Sequence, residues 1–312
     1  MNERELGHDL LPPSRGSGRV STAHSAPEVA PSVRLVPASQ FTIEELVAAY
    51  NQTRVDYIVP MPMNAARLRE YIHDYDVVLE MSAVALEDDR ILGLAMLGVR
   101  PNHTWITRLG VLPARRRHGT GRCLMEYLIA QSRRLRVSYV TLDVIKDNVP
   151  AEQLFHKLGF REVRELLVIR RPPGSPEVSV CPYTSYALDH QQAVRLLRSR
   201  RSIPSWLNET ASLVNAGNLA ALRIEQEGGA QGWLVYQETV LQLGRLVLQT
   251  EVGDPYQVGS ALLHALHARH PALDTKCENL PIDDPHWPAM QETGYLESFR
   301  RVEMHLQLDP FA

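Results

Sequence analysis

The sequence predicts an α/β fold arranged as two tandem domains, each a mixed, mostly antiparallel sheet flanked by helices. Three observations carry that expectation. Short apolar runs are separated by polar turns, segments of helical spacing alternate with them, and the order of elements in the first half returns in the second. A chain of 312 residues that is 44% hydrophobic is long enough to bury two cores of ordinary size.

Taken in order, residues 1–31, with Pro12, Pro13, Gly16 and Gly18, show no period and few large apolar groups, so they read as a flexible tail. Val33 and Leu35 alternate with Ser32 and Arg34 as in a short strand. Residues 43–50 have helical spacing, and Asn64 ahead of 65–70 reads as a cap and a second helix. Between them, the apolar and aromatic segment 57–63 suits either a binding cleft or packing under a loop. Residues 82–86, 91–99 and 104–112, joined by turns at Glu87-Asp88-Asp89 and Pro101-Asn102, form an antiparallel meander. A helix over 119–136 turns Leu124, Tyr127 and Leu128 inward. Residues 139–144 make the next strand, and Asn148-Val149-Pro150-Ala151 starts a helix in which Asn can cap and Pro fits the first turn. That helix stops at Gly159, and 160–169 has strand character.

Prolines and a glycine then interrupt regular structure. The first domain is therefore assigned to 32–171, the linker to 172–178 and the second domain to 179–312. In the second, a strand at 184–188, helices around 191–200 and 206–214, a meander of 219–224, 232–236 and 240–248, a helix around 258–267 and the pair Gly294-Tyr295 repeat the order of the first.

A formal charge of −3 and a pI near 6.5 supply no general attraction to nucleic acid or an anionic membrane. No run has the length of apolar residues that spans a bilayer, and the first thirty residues lack a secretory hydrophobic segment, so a cytoplasmic location is expected. Cys123, Cys181 and Cys277 match neither a disulfide framework nor a zinc pattern, and no metal is expected. Cys123 reads as helix packing rather than as a nucleophile, because no base arrangement accompanies it.

Basic charge is concentrated locally instead. Residues 115–136 hold Arg115, Arg116, Arg117, Arg122, Arg133, Arg134 and Arg136 against the single acid Glu126. Directly ahead, the apolar run Leu109-Gly110-Val111-Leu112 breaks into a glycine-punctuated turn at a helix start. Such a turn offers unpaired backbone N–H groups, low bulk and positive charge together, which points to a phosphate-bearing small molecule. It lacks the lysine and hydroxyl of a P-loop and opens no dinucleotide-binding unit. No basic surface interleaved with stacking aromatics is visible, so nucleic acid is not an expected partner.

The first half resembles the GCN5-related N-acetyltransferase (GNAT) family. The family pattern of glutamine or arginine, two residues, glycine, one residue, glycine or alanine falls on Arg116, Gly119 and Gly121. A second block falls on Asn148, Ala151, Leu154, Phe155, Gly159 and Phe160, and the order and separation match over about residues 80–165. The resemblance implies a groove between splayed strands for acetyl-CoA or another acyl-CoA. Backbone at Arg116, Arg117, His118, Gly119, Thr120, Gly121 and Arg122 would contact the pyrophosphate, and Leu109, Gly110 and Val111 would bond the pantetheine arm. Asn148 would bind the cofactor arm or cap its helix; Phe155 would pack near the thioester or enter the core.

The implied reaction is direct attack of a primary amine on the acyl thioester, with a base taking its proton. Glu80 is the leading base candidate, ahead of Asp143 and His103, because the start of the meander borders the acceptor cleft in related folds. The family's general-acid tyrosine falls on Phe155, which has no proton to give. In the second half Gly259 and Ala261 match the two small positions, but the arginine cluster is absent and Glu251 and Asp254 oppose phosphate, so that domain reads as degenerate. The expected function is N-acyl transfer by the first domain to an acceptor amine left open, as is the oligomeric state. The alternative is a non-catalytic acyl-CoA sensor or interaction protein on the same fold.

Overall fold

The computed structural model describes residues 33–309; the predicted tail lies outside them. The first half runs β1 (Arg34–Pro37), α1 (Ile43–Gln52), α2 (Ala65–Asp74), β2 (Ala83–Glu87), β3 (Arg90–Val99), β4 (His103–Val111), α3 (Thr120–Arg134), β5 (Tyr139–Ile145), α4 (Val149–Lys157) and β6 (Arg161–Arg171). The second runs β7 (Tyr183–Leu188), α5 (His190–Arg198), α6 (Thr210–Ala216), β8 (Leu219–Gln226), β9 (Gln231–Glu238), β10 (Gln242–Val252), α7 (Pro255–Arg269), β11 (Asp274–Pro281), α8 (Trp287–Glu292) and β12 (Leu296–Gln307).

Local chemistry accounts for most boundaries. Thr42 and Glu45 form a capping box on α1, and the Asn64 side chain accepts from the Arg67 N–H at 2.9 Å, as its position predicted. Asn148 takes its expected place at a helix start, but not as a capping side chain. It occupies the N-cap of α4 without a side-chain cap bond, and the Glu152 carboxylate instead accepts from the Asp147 N–H at 3.0 Å. The helix expected over 206–214 is broken into a short turn at Trp206–Asn208 and α6, because Glu209 stays extended while its carboxylate reaches Arg100 and His103.

The strands form one continuous twelve-stranded sheet in the order β1-β2-β3-β4-β5-β12-β6-β11-β10-β9-β8-β7. This replaces the expectation of two separate sheets. The order reads alike from either end, with each strand of the first half matched by the strand six later, except that the two last strands have changed places. β12 pairs antiparallel with β5 on one side and β6 on the other, and β6 in turn pairs with β11. Side chains follow the exchange: Val302 and Met304 of β12 lie in the core around α3 and α4, while Leu167 and Ile169 of β6 lie in the core around α7. The last strand of each half thus completes the core of the other.

A second contact joins the halves on the opposite face. The buried Arg100 guanidinium lies 3.9 Å from the Trp206 ring and bonds Asp76, Glu209 and Ser212. Trp206 donates its indole N–H to the Tyr75 carbonyl at 3.0 Å, and Arg245 pairs with Asp74 at 2.6 Å. Helices α1 and α2 sit on this face over a core of Leu46, Tyr50, Leu68, Leu94 and Met96.

Candidate functional site

The parallel ladder of β4 and β5 holds from His103 opposite Tyr139 to Ile106 opposite Leu142 and then ends, while β4 continues to Val111 along β3. A gap opens where the two strands part. A bulge helps to open it: the β3–β4 register shifts between Leu94 and Met96, and Arg108 takes a left-handed φ of 54°. Because Gly110 and Leu112 bond towards β3, Leu109 and Val111 direct their backbone groups into the gap. Their carbonyls accept from Arg54 at 2.8 Å and from Arg116 at 3.2 Å, so two groups expected to meet a pantetheine arm carry side-chain donors here. Gly110 is glycine for a steric reason, since a Cβ would lie 2.2 Å from Thr53 Oγ1.

The turn after β4 ends at the N-terminus of α3. Arg117 and Gly119 both have positive φ, 66° and 86°, and Gly119 caps α3 without any side-chain bond. None of the backbone N–H groups from Arg117 to Arg122 has a hydrogen-bond partner among the described residues. Left-handed residues on either side of His118 curl these donors into a concave nest, and the helix dipole adds to its positive field. The two glycines differ in role from what their spacing suggests. A Cβ at Gly119 would meet nothing within 4 Å, but the backbone conformation there disfavours one. Gly121 is helical, and its Cβ would pack 3.5 Å from Leu154 and 3.7 Å from Val111.

The arginines divide likewise. Arg115 pairs with Glu87, Arg122 with Glu126, and Arg116 grips both oxygens of Asp56 at 2.7 Å, holding that carboxyl below its ordinary range. Arg116, the leading phosphate candidate, therefore already has an anion. Arg117 has no ion pair among the described residues. His118 turns its ring back onto the Arg116 carbonyl at 2.7 Å.

Asn148 reaches the gap from α4, with its amide 3.4 Å from the Tyr57 hydroxyl. Tyr57 comes from the loop between α1 and α2, and the Arg54 guanidinium sits 4.0 Å from its ring. It opens the 57–63 segment that suits a binding cleft, but no motif marks its hydroxyl, since it lies far from α4 in sequence. Phe155 is buried in the core, its ring 6.1 Å from that of Phe160. Cys123 is half-buried; Cys277 is enclosed, and burial pushes its thiol up to about 12.

The three base candidates are widely separated. Glu80 sits exposed in the turn before β2, two strands from β4, without a hydrogen bond or ion pair among the described residues. His103 is bonded to Glu209 at 2.9 Å and stacked on Tyr139 at the closed end of the ladder. Asp143 alone stands at the parting, in the position after the last paired residue of β5. Loss of hydration there, reinforced by Glu303, raises its carboxyl to about 6 against the pull of Arg301 and the Asn279 amide at 3.2 Å.

The second half repeats the backbone device without the site. β10 and β11 pair in parallel only from Gln242 to Gly244, and Arg245 then takes a φ of 55°. But α7 is capped by the Asp254 carboxylate and begins with Pro255, which has no N–H to offer. Residues of the 200–208 segment enter the strand gap and leave a cavity of about 50 Å³ beside Leu246, Cys277 and Asp284. That holds a water or two.

Residues 45–160 match the acetyltransferase (GNAT) family. No curated protein matches the sequence. Among solved structures, the chain resembles a GCN5-related N-acetyltransferase from Sphaerobacter thermophilus at 19% identity, covering 88% of this chain and 95% of that one with a TM-score of 0.61. A tandem GNAT protein from the clavulanic acid biosynthesis pathway shares 15% identity over 88% of this chain and 98% of its own, with a TM-score of 0.59. A glucosamine N-acetyltransferase region of a fungal multi-domain beta-N-acetylglucosaminidase aligns at 13% identity and a TM-score of 0.68, over 89% of this chain and 38% of that one. At these identities the likeness is one of fold. A GNAT-family fold covers part of the chain, and no helix among the described residues is long and apolar enough to cross a membrane.

Proposed function

We propose that the protein is an acyl-CoA-dependent N-acyltransferase that takes acetyl-CoA, or another short acyl-CoA, in its first half and transfers the acyl group to a primary amine. The observation that carries this reading is the meeting of the β4–β5 gap with the unpartnered N–H groups of Arg117 to Arg122 at the start of α3. A diphosphate seated on those donors, with Arg117 beside it, leaves a thiol-bearing arm running along Leu109 and Val111 towards Asp143. Arg54 and Arg116 would yield the two carbonyls they now cover.

In this reading the amine nitrogen attacks the thioester carbonyl, the new C–N bond forms and the C–S bond breaks. Asp143 replaces Glu80 as the proposed base. Its raised carboxyl is ionised at neutral pH yet basic enough to take a proton directly or through water. With Phe155 in the core, the hydroxyl of Tyr57 is the proposed donor to the departing thiolate. The chain divides in tandem in this reading: 32–171 carries the site, and 179–312 is a degenerate domain whose capped α7 and filled gap do not suit a coenzyme, but whose β12 completes the working half.

The absence of a donor at Phe155 favours a second reading, an acyl-CoA sensor without turnover. A screen for CoA release across primary amines separates the two. Transfer to at least one amine, lost in Asp143→Asn, supports catalysis; tight acetyl-CoA binding with no release across the panel supports sensing.

A further inference from the structure

Arg108 is a cation that acyl transfer leaves unused. The bulge turns its side chain onto the face carrying α1 and α2, where the guanidinium lies 4.1 Å from the Tyr71 ring and 5.3 Å from the Tyr50 ring. Nη1 donates to the Tyr50 hydroxyl at 2.9 Å. Nε is enclosed without a partner, Nη2 makes no hydrogen bond, and no carboxylate forms an ion pair with this arginine among the described residues, Glu278 acting on it only through space. Other arginines nearby are satisfied differently: Arg100 has Asp76 and Glu209, Arg245 has Asp74, Arg301 has Glu278, and Arg54, over the same Tyr50 ring and also without a carboxylate among the described residues, donates to the Leu109 carbonyl. A desolvated guanidinium with donors to spare is costly to maintain, and its planar fork is shaped for a carboxylate.

The opposite charge lies across the gap. Val140, Leu142 and Val144 of β5 enter the core around α3, so the alternating Asp143 faces the same side of the sheet as Arg108. Asp143 and Thr107, the residue before Arg108, are each the next residue after the last pair of the ladder, Leu142 opposite Ile106, and Thr107 is fixed by the Tyr71 hydroxyl at 2.5 Å. Paired strands lie about 4.8 Å apart, so β4 and β5 are still that close at the last pair, one residue before Thr107 and Asp143, and separate from there. One small molecule with an amine and a carboxylate on the same carbon can therefore reach both groups.

The geometry points to an α-amino acid as the acceptor, its carboxylate held by the free donors of Arg108 and its amine directed to Asp143. This rests on the acyl-transfer reading above. Tyr50 and Tyr71 keep water from the guanidinium and strengthen the pairing. The nitrogen loses its proton to Asp143 as the C–N bond forms, the thioester C–S bond breaks, the thiolate takes a proton from Tyr57 or water, and the product is an N-acyl amino acid. A polyamine would set a second positive charge against Arg108 and is disfavoured.

The test uses the full chain, acetyl-CoA and matched acceptors with and without the carboxylate, such as leucine with isoamylamine, phenylalanine with phenethylamine and lysine with cadaverine. The favoured amino acid should exceed its amine in kcat/KM by about 10- to 100-fold, the worth of a charged hydrogen bond. Arg108→Gln should erase that preference through KM, Arg108→Lys should restore part of it, and acetyl-CoA affinity should not move in either. Amines that equal their amino acids, or a preference intact in Arg108→Gln, would overturn the proposal while leaving acyl transfer standing. A measurement free of turnover is calorimetric binding of N-acetylated amino acids and their amides: wild type should select the free acids and Arg108→Gln should not. Equal affinity for acid and amide in wild type also overturns it, whereas failure to bind acetyl-CoA at all refutes the underlying reading.

Discussion

Replacing Asp143 with Asn should stabilise the protein and disable it, and the two effects share a cause. The carboxyl rises from 3.8 to about 6 because folding strips it of water and sets it near Glu303. The folded state thus holds this proton more tightly than the unfolded chain. Protonated Asp143 contributes fully below the unfolded value, and that contribution is lost as pH rises through about 6. A difference of roughly two units, at about 1.4 kcal/mol each, makes the ionised form cost about 3 kcal/mol at neutral pH. Asparagine is neutral and similar in shape, and its oxygen can still accept from Asn279. Urea unfolding at a series of pH values should show Asp143→Asn equal to wild type near pH 3 and up to about 3 kcal/mol more stable near pH 8. CoA release by the variant should fall by about 10²- to 10⁴-fold, while the wild-type rate should show an acidic limb near 6. A variant that is less stable at pH 8, or a stability difference that does not change with pH, would refute the reasoning.

Other perturbations separate the remaining parts. Gly119→Val forces a branched side chain into a left-handed backbone, so it should cost about 1–2 kcal/mol in urea unfolding and weaken acetyl-CoA binding by calorimetry; unchanged affinity would remove the turn from the site. Asp56→Asn releases Arg116 and should tighten acetyl-CoA several-fold with a steeper dependence on salt, whereas weaker binding would mean that the ion pair shapes the turn. Met304→Ala lies in the last strand yet empties part of the first-half core, so it should cost about 2–5 kcal/mol and raise amide exchange along β5. A loss below 1 kcal/mol would deny β12 that role.

The elements of the first half are legible in the sequence because their signals are local. Capping at Asn64, the turn at Glu87 to Asp89 and the alternation through β3 and β4 each act within a few residues. The strand exchange is not legible, because a period of two marks a strand and the face it buries but not its neighbour; β6 and β12 can both cover β5 with apolar side chains. Strands β11 and β12 leave no clear strand signal. Both mix charged residues such as Lys276, Glu278, Arg301 and Glu303 into their alternation, and most of these are answered by partners distant in the chain.

The site divides in the same way. The uncapped start of α3 follows from Gly119 and the basic turn, which are contiguous. That Arg116 is held by Asp56, and that Tyr57 meets Asn148, depends on how the loop between α1 and α2 folds over β4. In the sequence Asp143 stands beside Glu80 and His103 as a candidate base, and only the end of the β4–β5 ladder, at Ile106 and Leu142, separates it from them.

Titration calorimetry of acetyl-CoA into the full chain is the most direct measurement of the central claim. One site per chain is predicted, weakened by Gly119→Val and by loss of the Arg117 side chain. No binding, or two equivalent sites per chain, would contradict it.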